Sequence, residues 1–155
     1  MDRDSHVTLA AQVRAQLDDI AAIHERITER EQVPGDAGLD SVALQLHNLY
    51  SAVEVLLETI AATFDNHVGS ESGYHRALLR TMRVAVPGVR PAVVTAETAT
   101  LLDTLRRFRH VVRHAYIAAI DERQLHIVLE DARAVRPLLQ RDVEAFLSAL
   151  DPGSG

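Results

Sequence analysis

Residues 108 to 116 read Phe-Arg-His-Val-Val-Arg-His-Ala-Tyr. Two guanidinium groups, two imidazoles and a phenol fall within nine positions. Such a set can bind an anion and move a proton near neutral pH. Three chemistries compete for it. A solvated charged face normally interleaves acids with bases for i,i+4 pairing. No acid lies between Asp103 and Asp121, however, so Arg106, Arg107, Arg109 and Arg113 read as cations without counter-ions. A metal site is suggested by His110 and His114 at i,i+4, but two ligands are too few and the flanking arginines repel a cation. The third is a polyanion site, in which Arg neutralises and orients a phosphate while His supplies general acid or base. That is the composition of metal-free phosphodiester cleavage.

A helix must carry these residues. With Val112 at zero on a wheel of ~100° per residue, Leu101, Leu105, Phe108, Ala115 and Ala119 fall near zero and define a core face. His110 and His114 lie opposite it, with Arg106, Arg107 and Arg113 on the same outer half. Arg109 and Tyr116 sit on its shoulder. Arg109 and His114 are about 140° apart on one straight helix, so a two-fold interface that sets an Arg of one chain near a His of another suits them better.

The elements that position this helix follow from periodicity and punctuation. A first helix is expected from about Val7 to Gln32, capped by Asp4 or Ser5 and closed before the Pro/Gly loop "VPGDAG". A second begins near Asp40–Ser41 and carries Val42, Leu46, Leu49, Val53, Leu56, Ile60 and Phe64 at spacings of three and four. After the turn "NHVGSESG" comes a shorter helix from Tyr74 to about Val84, stopped by "VPGVRP". The helix of interest is capped by Thr95 and runs to about Ile120. The last starts at Asp121 and meets Pro137, which should kink it or start a fresh helix. No strand pattern competes. The expected fold is all-α, an antiparallel bundle of four to five main helices in one domain over residues 1–150, with a disordered tail at 151–155.

Composition narrows the classes further. A chain of 155 residues can bury one core without staples. Cysteine is absent, which excludes disulfides, thiol nucleophiles and zinc–cysteine sites. The first residues, "MDRDSHVTLA", lack the pattern of a signal peptide, and no apolar run reaches membrane-spanning length. A cytoplasmic protein with no membrane partner is expected. All 16 basic residues are arginine, and the net charge of −6 is unevenly spread. Residues 73–120 hold eight Arg against two acids, and the remainder holds eight Arg against twenty. A local basic patch is the relevant footprint for a polyanion. On charge alone, that reading and an ordinary solvated Arg-rich segment weigh equally. His24, His47, His67, His75 and His126 form no visible constellation and read as surface or packing residues.

The stretch Arg109-His110-Val-Val-Arg113-His114-Ala-Tyr116 resembles the R-x-x-x-x-H-x-Y signature of HepT-like toxins, within the HEPN superfamily of helical ribonucleases. The segments "YHRALLRTM" and "PGVRPAVVTAET" before it, and "RPLLQRDVEAF" after it, resemble the same branch, so the likeness covers about residues 40–148. The resemblance implies a two-fold homodimer whose motif Arg and His meet at the interface and cleave RNA without a metal or other cofactor. It implies Arg109, His110 and His114 as catalytic residues, with His110 where better-known members carry Asn, so that His110 either assists or only hydrogen-bonds. Arg106 and Arg113 are expected to bind RNA phosphate. The family is encoded beside a nucleotidyltransferase antitoxin, which in some systems adenylylates the motif tyrosine, here Tyr116. A tyrosine that merely packs at the dimer seam fits that position as well. The competing function is a catalytically silent HEPN subunit that binds a nucleotidyltransferase partner or its nucleotide.

Overall fold

The computed structural model of the chain describes residues 1–65, 73–114 and 119–154. Five α-helices account for most of it: α1 (Arg3–Arg30), α2 (Gly35–Phe64), α3 (Tyr74–Met82), α4 (Ala96–Arg113) and α5 (Glu122–Leu150). The all-α expectation holds. The one β-type feature among the described residues is an isolated antiparallel bridge between Val86 and Arg90.

α2 is the central element and packs against each of the other four helices. Its stripe of Val42, Leu46, Leu49, Val53, Leu56 and Ile60 is buried throughout, as the spacing predicts. Cutting one of these, such as Leu46, to Ala is expected to cost about 2–5 kcal/mol through lost burial and the cavity left behind. α1 lays Leu9, Val13, Leu17, Ile20 and Ile27 into the same core. It is capped by Asp2, whose carboxylate accepts the Ser5 N–H at 2.8 Å, ahead of the expected cap at Asp4 or Ser5. α2 also starts early, at Gly35 behind an extended Pro34. The turn folds so tightly over it that a Cβ on Gly38 would collide with the Val33 carbonyl.

α3 ends at Met82, where the backbone N–H groups of Val93 and Val94 donate to the Met82 carbonyl. The connection to α4 is held by Arg90, whose side chain is fully enclosed. Its guanidinium donates to Asp65 at 2.9 and 3.1 Å, and to the carbonyls of Thr81, Val84 and Pro91. Arg90 therefore belongs to the interior and not to the basic surface suggested by counting charges.

α4 begins at the expected Thr95 cap, where the Thr98 N–H donates to the Thr95 hydroxyl. It is shorter than expected: the helix ends at Arg113, and neither Ala119 nor Ile120 is helical. α5 starts where expected, with Asp121 as cap. Pro137 neither ends it nor starts a second helix, because Val135 and Leu139 on either side stay buried in one continuous stripe. Past α5, Pro152–Ser154 form a short 3-10 turn, and the Ser154 hydroxyl donates to the Ser148 carbonyl at 3.0 Å.

Candidate functional site

The buried face of α4 consists of Thr98, Ala99, Leu102, Leu105, Phe108 and Arg109. Its centre lies about 40° from the reference chosen on Val112, which is itself only half-buried. That offset carries Arg109 from the shoulder of the helix into the interior, where it is 6% exposed. Its guanidinium contacts both carboxylate oxygens of Glu54 at 3.3 Å, and the Ser51 hydroxyl at 3.3 Å. It also lies over the Tyr50 ring, 4.6 Å from the centroid. Burial, and then the neighbouring Glu54 carboxylate, push the Tyr50 phenol above its ordinary pKa.

Glu54 has a second partner. His75 Nδ1 stands 2.7 Å from its carboxylate, close enough to be the N–H donor. The same nitrogen is 3.2 Å from an Arg109 nitrogen, so Arg109 and His75 share one buried acid. His75 thus has a constellation that the sequence reading denied it. The available signal was Glu54 itself, an acid set between Val53 and Leu57 on the buried stripe, because a buried carboxylate needs a cationic partner.

The arginines of α4 also have counter-ions. Arg106 Nε donates to Asp103 at 2.8 Å, and Arg107 Nε lies 3.3 Å from the other oxygen of that carboxylate. Counting acids only beyond Asp103 missed these i,i+3 and i,i+4 pairs. Arg113 is exposed in the last turn, where the helix dipole favours a cation.

His110 and His114 are both exposed, and their rings lie with centroids 4.3 Å apart, tilted 37° to one another. His114 caps the helix, and its Nδ1 is 2.8 Å from the His110 carbonyl. With Nδ1–H donating there, the lone pair of the neutral ring is on Nε2. Arg106, His110, Arg113 and His114 follow one another at spacings of four, three and one, which makes a continuous patch at the C-terminal end of α4. Arg109 faces away from it. Tyr116 lies outside the described residues, as does His67. His24 is buried between α1 and α5, and burial, with Arg136 adding to it, pulls its pKa down to about 4. Among the described residues no three His, Cys, Asp or Glu side chains come together as a metal-binding group.

The family model described as HepT-like protein matches residues 41–150, from near the start of α2 to the end of α5. The chain belongs to the HepT-like family. No curated protein and no solved structure matches it. The matched span contains every residue of the site above, including the Glu54 partner on α2, and it leaves out α1. HepT-like proteins are of the HEPN type associated with ribonucleases and toxins. Among the described residues of this HepT-like chain, no helix is long and apolar enough to cross a membrane.

Proposed function

We propose that this HepT-like protein is a metal-independent endoribonuclease, the toxin of a toxin–antitoxin pair whose antitoxin is a nucleotidyltransferase. The observation that carries the reading is the close, exposed pair His110–His114 on a basic helix end. In the proposed reaction one imidazole takes the proton of an RNA 2′-hydroxyl. The 2′-oxygen then bonds to the adjacent phosphorus, and the bond from phosphorus to the 5′-oxygen breaks. The second imidazole protonates that leaving oxygen. The products are a 2′,3′-cyclic phosphate and a 5′-hydroxyl. His114 is the principal acid/base and His110 the second group. Arg113, with Arg106, neutralises the phosphate. Arginines flanking the two imidazoles repel a cation, which supports a reaction without a metal.

Arg109 takes a changed role. Bound to Glu54 inside the bundle, it is a positioning residue that fixes the end of α4 against α2 and so places His110. Arg109→Lys should then lower kcat more than it raises KM, whereas loss of a phosphate contact would act on KM as well. Homodimerisation is part of the proposal. Leu44 and Val55 are exposed large apolar residues, and with Asn48 and Ser51 they line one face of α2 beside Arg109. Val111 is exposed next to His110 on α4. Two copies joined there would bring both histidine pairs to one cleft. The partner enzyme would act on Tyr116.

One observation favours the silent-subunit reading, namely that the motif arginine is turned inward on Glu54. Purified protein incubated with RNA and EDTA separates the two. Cleavage that is lost in His114→Ala supports the enzyme, and intact RNA with wild type supports the silent subunit.

A further inference from the structure

A second basic feature lies on the other flank of the histidine stripe. α3 and α4 enclose a cleft of about 270 Å³ lined by Arg76 and Arg80 from α3, Arg83 at its C-cap, and Asp103 and Arg107 from α4. Leu79 and Ala99 form its apolar floor. Four guanidinium groups face one carboxylate there, and Asp103 is already shared by Arg106 and Arg107. Elsewhere most arginines are matched, as in Arg14–Glu144, Arg133–Glu31 and Arg136–Glu25. Among the described residues no carboxylate pairs with Arg76, Arg80 or Arg83, and α3 contains no acid of its own. Three like charges on one face of a short helix repel one another unless an anion joins them.

We propose that this cleft is a phosphate-binding track for single-stranded RNA, feeding the strand to His110 and His114. It rests on the ribonuclease reading and names the surface that holds the substrate. Thr100, Asp103, Arg107, His110 and His114 recur at spacings of three and four, so the cleft wall and the imidazole pair share one stripe of α4. Arg107 lies seven residues from His114, about 10 Å along the axis, a span of a few nucleotides at most. Arg76 and Arg83 are likewise about 10 Å apart along α3, too far for one phosphate to satisfy all three α3 arginines. A polymer with regularly spaced phosphates fits that spread, and each guanidinium can grip a phosphate bidentately. An acidic protein face fits less well, because protein interfaces centre on apolar or aromatic anchors and the floor offers only Leu79 and Ala99.

The test is binding of a fluorescein-labelled oligouridylate of about a dozen nucleotides, read by anisotropy against salt. His114→Ala serves as the parent, so that cleavage does not interfere. Arg76→Gln/Arg80→Gln/Arg83→Gln should weaken binding at least tenfold at low salt. It should also flatten the plot of log affinity against log salt by about 2, given roughly 0.7 per phosphate contact on a single strand. Arg14→Gln/Arg133→Gln/Arg136→Gln removes equal charge elsewhere and should change neither quantity. Arg80→Gln alone, with a slope loss of about 0.7, guards against misfolding of the triple variant. An unchanged slope in the α3 variants, or an equal loss in the control, overturns the track, the former leaving an acidic protein as the cleft's partner. The two proposals fail separately. RNA bound through the α3 arginines but never cut by the wild type refutes the nuclease and keeps the track. RNA cut by the wild type with an unaltered α3 slope does the reverse.

Discussion

The two ends of α4 use polar chemistry in opposite ways. At the N-terminal end Asp142 of α5, 6% exposed, accepts the Thr95 N–H at 2.9 Å, the Thr95 hydroxyl at 3.1 Å and the Thr98 hydroxyl at 2.6 Å. Arg141 covers its other oxygen at 2.9 Å. Both oxygens of the Asp142 carboxylate are hydrogen-bonded, and the cluster locks α4 to α5. At the C-terminal end the imidazoles of His110 and His114 stand in solvent beside Arg113. Between the two ends sits Arg109, which shares a sequence motif with the exposed end and the burial of the locked one. Membership of a motif does not decide which way a side chain faces; the angular position of the core does.

The sharpest way to break this division is through Arg109 and its partner. Glu54→Ala strands a buried guanidinium and should lower stability by about 3–5 kcal/mol in chemical denaturation. Arg109→Ala should cost less, because His75 still hydrogen-bonds the carboxylate. If both variants unfold at the wild-type denaturant concentration, Arg109 belongs to the solvent-facing end after all.

Histidines should divide in the same manner. His24 is neutral in the fold, with its pKa lowered from 6.5 to about 4. The unfolded chain therefore takes up this proton first, so the contribution is whole above pH 6.5 and is lost as pH falls toward 4. The loss amounts to about 3 kcal/mol at 1.36 kcal/mol per unit. Thermal melts of His24→Leu against wild type over that range should show the variant largely relieved of this loss; parallel curves would contradict the assignment.

A smaller effect is expected at the locked end. Burial alone would raise the pKa of Asp142, but its hydrogen bonds from Thr95, Thr98 and Arg141 outweigh that and hold it below 3.8. The contribution of this carboxylate is therefore complete above 3.8 and disappears as pH falls through its lower folded value. Asp142→Ala should cost about 2 kcal/mol at neutral pH, mainly from donors left without an acceptor. In that variant, acid unfolding should begin with less stability to lose. The smallest effect belongs to the exposed end, where His114→Ala should stay within about 0.5 kcal/mol of wild type.

Much of the fold was legible because α2 and α4 follow helical spacing and their punctuation is plain. Thr95, Asp121 and the "VPGVRP" break were readable as local chemistry. The start of α2 was not, since Pro34 and Gly38 act through a tight turn whose closeness only the packing shows. Of the two outcomes expected at Pro137, a fresh helix does not occur, because the local cost is offset by burial of Val135 and Leu139 on either side. At the site, the outward direction of His110 and His114 was correct. Arg109 was misplaced because Val112 was taken as the centre of the core face, and a 40° error suffices to exchange shoulder for interior. Glu54 and His75 come from other helices, and a contact across the bundle leaves no spacing in the sequence.

The central claim is that the His110–His114 end of α4 cuts RNA by acid–base chemistry alone. Its most direct test is gel analysis of a single-stranded RNA incubated with wild type and with His114→Ala, both in EDTA, beside the same strand carrying 2′-deoxy sugars. The account predicts that wild type yields fragments ending in a 2′,3′-cyclic phosphate, that His114→Ala is slower by a factor of about 10² to 10⁴, and that the deoxy strand stays whole. Cleavage that vanishes in EDTA, or that proceeds equally well in His114→Ala or on the deoxy strand, would contradict it.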